Sequence, residues 1–132
     1  VLACYDSSFC AGLLEAAAYV HSEERPVLLV AYDLPSPPPL SAARPLQGGF
    51  AAALLLTRTP TPHTLAQLDL ALSNYLSEET TSMDDARLEA LRNGNQAARS
   101  LPILAAIARQ RVALIRLAYL EDQHLVIEVM PC

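Results

Sequence analysis

The chain has 132 residues, one domain's worth, with 52% hydrophobic and 17% charged residues, against about 25% charged in an average domain. Net charge is −5, and the nine basic residues are all Arg, scattered singly; this excludes the basic footprint that a phosphate backbone needs. No apolar run reaches the roughly 18 residues that cross a bilayer, so no membrane span is expected, and the surplus of apolar surface calls for a covering partner.

Cys4, Cys10 and Cys132 form an odd set without C-x-x-C spacing, which fits a reduced, cytoplasmic setting with Cys10 as a small core hydrophobe. Val1 already stands in strand-like sequence with no charged leader, so the chain reads as a fragment of a longer polypeptide.

In chain order, Val1–Cys4 reads as the end of a strand, and Asp6 or Ser7 is placed to cap a following helix. That helix is expected to run to about His21, with Phe9, Leu13, Ala16, Ala17 and Val20 on one side and Leu14 and Tyr19 on the other, so it belongs between two layers. Val27–Tyr32 is continuously apolar, the pattern of a central strand covered on both faces. Asp33–Arg44 holds four prolines and is expected to be an extended rim loop. Phe50–Thr57 follows as a third strand, antiparallel to the second because no crossover helix separates them, with its alanines packed on the buried helix.

Thr64 then opens an expected amphipathic helix to about Leu76, with Leu65, Leu68, Leu72 and Tyr75 on one face. The acidic stretch Ser77–Asp85, with Glu78-Glu79 and Asp84-Asp85, reads as a solvated linker. A weak helix to Arg99, broken at Asn93-Gly94-Asn95, is expected to be mobile. Pro102 in a first turn marks a last helix, and Val112–Leu120 with His124–Met130 reads as a terminal hairpin containing Arg116 and Glu128. Residues 1–58 would thus be a βαββ core, and 59–132 a helical segment and hairpin of the same domain.

The chemically suggestive feature is the elbow between the first strand and helix, where a thiol would sit on turned backbone at a helix's positive end. The stretches YDSSFCAGLLEAA and RPVLLVAYDLPSPPPLS resemble the ketosynthase-like chain-length-factor family of thiolase fold, from bacterial aryl-polyene and related fatty-acid-type pathways, best over Leu2–Thr57. The resemblance implies an α/β partial thiolase-like half-fold. Active members of the wider family carry Cys-x-Ser-Ser at the elbow. Laying that Ser-Ser on Ser7-Ser8 puts Tyr5 at the nucleophile position and Cys4 one residue early.

The same resemblance implies a non-catalytic subunit that pairs with an active ketosynthase, meets acyl carrier protein only through that partner, and uses no cofactor. Tyr5, Asp6, Ser7, Ser8 and Phe9 would form the elbow and acyl-cavity wall, and a homodimer is expected in isolation. Two other readings stand beside it: an acyl-transferring enzyme using Cys4, and a plain oligomerisation domain. His21, His63 and His124 read as surface or capping residues. A serine hydrolase is disfavoured because Tyr5 and Phe9 flank Ser7 where Gly-x-Ser-x-Gly needs small residues, and Asp33 has no placed His. No His or Cys pair has metal-ligand spacing.

Overall fold

The computed structural model describes all 132 residues, Val1–Cys132. Two sheets enclose a helical layer. A 3₁₀ turn over Tyr5–Ser7 leads into α1 (Ser8–Glu23), then β1 (Val27–Asp33), a short α2 (Leu40–Ala43) and β2 (Phe50–Leu56). After β3 (Ala66–Ser73) come α3 (Ala86–Gly94), a 3₁₀ turn over Ala97–Ser100, α4 (Leu101–Ala108), β4 (Ala113–Leu120) and β5 (Gln123–Pro131). One sheet is the antiparallel pair β1–β2; the other is three-stranded, in the order β3–β5–β4 and antiparallel throughout.

The largest departure from the sequence pattern is Thr64–Leu76, which forms strand β3 rather than a helix. Leu68 and Leu70 are two apart and face inward, while Leu65, Leu72 and Tyr75, the rest of the supposed helical stripe, are exposed. Period two prevails because β5 offers a full register, Leu68 opposite Val129, Leu70 opposite Ile127 and Leu72 opposite Leu125. The terminal hairpin therefore becomes the middle and edge of a three-stranded sheet.

The core lies between the sheets. Phe9, Cys10 and Leu13 of α1 meet Ile103 and Ala106 of α4 and the inward residues Ile115, Leu117, Leu125, Ile127 and Val129. Leu29, Ala31, Leu54 and Leu56 close it from the β1–β2 side, so α1 does occupy an inter-layer position. Gly12 makes this approach possible: a Cβ there would lie 3.2 Å from Leu29 Cδ1. Pro102 stands in the first turn of α4, where its missing N–H costs nothing.

Five local expectations need correction. Val1–Cys4 forms no strand, so a 3₁₀ turn and not a strand precedes α1. Strands β1 and β2 are covered on one face only, and Ala51 and Ala53 point outward rather than onto α1. The Pro-rich loop is interrupted by the helical turn α2. Asp85 is no mere linker residue: its carboxylate accepts the Arg87 and Leu88 N–H groups at 2.9 and 3.0 Å and caps α3. The Asn93-Gly94-Asn95 interruption is a buried fastening, because the Asn95 side chain donates to the Asp33 and Gly48 carbonyls (3.1 and 2.9 Å) and accepts from the Ala97 and Ala98 N–H groups.

Candidate functional site

The elbow is built by backbone, not by a side-chain cap. Tyr5 adopts φ 47°, the left-handed region that costs a bulky residue about 1–2 kcal/mol. Neither Asp6 nor Ser7 caps α1. Instead the Ser8 hydroxyl accepts the Cys4 N–H at 2.8 Å and donates to the Tyr5 carbonyl at 2.6 Å, bracing both sides of the strained residue. The Ser7 hydroxyl donates to the Tyr119 carbonyl and ties the elbow to β4.

Tyr5 is 82% exposed, with its ring directed away from the core. The Arg44 guanidinium carbon stands 6.0 Å from that ring's centroid, in cation–π range, and Arg44 pairs with Asp6 at 3.5 Å. Nothing in the sequence marks Arg44 as part of the elbow; it arrives from the far end of the Pro-rich loop, 38 residues after Asp6. A cavity of about 980 Å³ opens beside the elbow, between α1 and the free edge of β1. Tyr5, Phe9, Gly12, Ala16 and Tyr19 line its helical side. Phe9 belongs to both the core and this wall.

The thiols and imidazoles do not assemble into a nucleophile and base. Cys10 is buried, its Sγ 3.5 Å from the Ala118 carbonyl, and burial pushes its thiol up to about 12 despite Arg99, so it is inert near neutrality. Cys4 is half-buried, one residue before the left-handed position. His21 lies thirteen residues along α1 from Ser8, roughly 20 Å away at 1.5 Å per residue. His63 is exposed in the turn before β3.

His124 departs from its expected surface place: it is 9% exposed, with Nδ1 unpartnered, at the start of β5. Strand alternation puts it on the sheet face opposite Leu125, which packs toward α1, so it cannot serve the elbow. No group of three or more His, Cys, Asp or Glu is arranged to hold a metal ion, and no helix is long and apolar enough to cross a membrane.

A strained, hydroxyl-braced elbow ahead of a buried helix, beside an apolar cavity, is the arrangement into which a family comparison fits. The profile of the beta-ketoacyl synthase N-terminal domain matches residues 1–120. The chain belongs to that family. No curated protein and no solved structure matches it. Tyr5 holds the strained, left-handed backbone of this turn, with the half-buried Cys4 immediately before it and Cys10 buried in the core.

Proposed function

We propose that this beta-ketoacyl synthase-like chain is a non-catalytic subunit of the chain-length-factor kind, working beside an active ketosynthase in fatty-acid or polyketide-type, aryl-polyene-like biosynthesis. The carrying observation is Tyr5 at φ 47°: strain persists where the backbone of a nucleophile elbow is retained, yet the side chain it presents is a phenol with no imidazole near it. A phenol with no base placed to activate it is a poor acyl acceptor compared with a thiolate.

On this reading the elbow limits length rather than reacts. Tyr5 and Phe9 occupy volume at the cavity wall that further chain carbons would need. Acyl carrier protein and the decarboxylating histidines belong to the partner. The test is product analysis with the paired ketosynthase: Tyr5→Ala and Phe9→Ala are expected to lengthen products by one or more two-carbon units, and unchanged lengths in both variants would sink the reading.

A further inference from the structure

A second cavity, of about 470 Å³, opens on the outer side of the C-terminal sheet, and of the eight residues around it only Leu76 is apolar. Its size falls within the roughly 300–1,000 Å³ of small-ligand sites. The start of β5 contributes His124, α3 contributes Glu89 and Arg92, and the segment between β3 and α3 contributes Glu78, Glu79, Thr80 and Ser82. That segment is fastened in place. Thr81 exchanges two hydrogen bonds with Arg116, and the Met83 N–H donates to the Glu89 carboxylate at 2.7 Å.

The charges around the cavity are paired except one. Arg92, 5% exposed, donates to Glu89 through Nε at 2.8 Å and Nη2 at 2.6 Å, and Glu78 pairs with Arg116 at 2.5 Å. No cation reaches Glu79, so the wall carries one negative charge in excess. His124 is 9% exposed, lines the same cavity, and leaves Nδ1 without a partner, although buried polar atoms are ordinarily bonded. A neutral imidazole has one nitrogen free to accept a hydrogen bond.

We propose that this cavity binds a primary ammonium group, supplied by a free diamine or by a lysine side chain of another protein. The chain has no lysine of its own. An ammonium spreads three donors around one compact charge, which suits acceptors arriving from different walls: the Glu79 carboxylate, the Thr80 and Ser82 hydroxyls and the imidazole. A guanidinium's planar fork suits a single carboxylate instead, and the carboxylate held in that way, Glu89, already has Arg92. An anion would meet three carboxylates. The inference is independent of the chain-length role, since it uses neither the elbow nor the cavity beside it.

NMR titration of the full chain tests it, in about 150 mM salt so that long-range attraction to the negative chain is screened. The probes are 1,4-diaminobutane, an Nα-acetyl-lysine amide, and tetramethylammonium, which carries the charge without an N–H. Both amines are expected to shift the His124 ring signals saturably, with a midpoint of about 1 mM or below, while the exposed His21 and His63 stay unmoved. Glu79→Gln, at an exposed position with no bonds to lose, is expected to weaken binding at least about tenfold; Glu23→Gln, exposed at the end of α1, is expected to leave it unchanged. The tighter of the two amines names the source, diamine or protein lysine. No saturable shift with either amine overturns the proposal; so does equal binding of tetramethylammonium, which would mean bare charge attraction, or full affinity in Glu79→Gln.

Discussion

The two sheets make the most instructive contrast in the molecule. The C-terminal sheet turns Leu125, Ile127 and Val129 inward at full burial and shows solvent Gln67, Asp69 and Glu128. Its β4 edge is covered as well, since Thr81 donates its N–H to the Arg116 carbonyl at 2.8 Å and accepts the Arg116 N–H on its hydroxyl at 2.9 Å. The β1–β2 sheet is apolar on both faces, and along Val27–Tyr32 no loop takes up the free edge of β1. One sheet buries its apolar face within this chain; the other leaves an apolar face and an open edge exposed.

Truncation is the strongest way to break this contrast. Leu125→Ala removes a fully buried side chain and is expected to cost about 2–5 kcal/mol, whereas Leu55→Ala, 68% exposed, is expected to change the monomer by less than ~0.5 kcal/mol. Urea unfolding of a monomeric background measures both; equal losses would mean that the β1–β2 face is already covered in the folded chain.

Next in size is the fastening between the halves. Asn95→Ala removes the side chain that bonds the Asp33 and Gly48 carbonyls and the buried Ala97 and Ala98 N–H groups, and about 2–3 kcal/mol is expected from the lost hydrogen bonds. A calorimetric loss no larger than that of an exposed Asn93→Ala would show that Asn95 does not join β1 to the C-terminal half.

The smallest effect is electrostatic and confined to the C-terminal half. The Arg92 hydrogen bonds, then the Met83 N–H, hold the Glu89 carboxyl down at about 2 from 4.5. Because the folded value is the lower one, the ionised pair stabilises the fold above about pH 4.5, and this contribution fades as pH falls toward 2. Glu89→Gln should flatten that part of the stability profile; an unchanged slope between pH 5 and 2 would show that the pair adds nothing to the fold.

How far the fold was legible in the sequence divides along the same line. The α1 helix and the antiparallel β1–β2 pair could be read because their apolar patterns are strong and local. Strand β3 could not, since Leu65, Leu68, Leu72 and Tyr75 fit a helical stripe as well as a strand, and only the distant β5 register decides between them. The continuous run Val27–Tyr32 read as covered on both faces because sequence reports what a strand is built for, not what is present to cover it. At the elbow, the turn was visible in Cys4-Tyr5-Asp6-Ser7-Ser8, while Arg44 and the bracing by Ser8 were not, because their partners are chosen by three-dimensional closure.

The central claim is that the chain retains the backbone of a nucleophile elbow at Tyr5 without its thiol. Iodoacetamide labelling at pH 7, followed by intact-mass and peptide analysis, compares the wild type with Tyr5→Cys. The sulfur introduced by Tyr5→Cys, on left-handed backbone ahead of α1, is expected to alkylate at least about tenfold faster than Cys4; a wild-type Cys4 that alkylates as fast as that sulfur would contradict the claim and make Cys4 the working nucleophile.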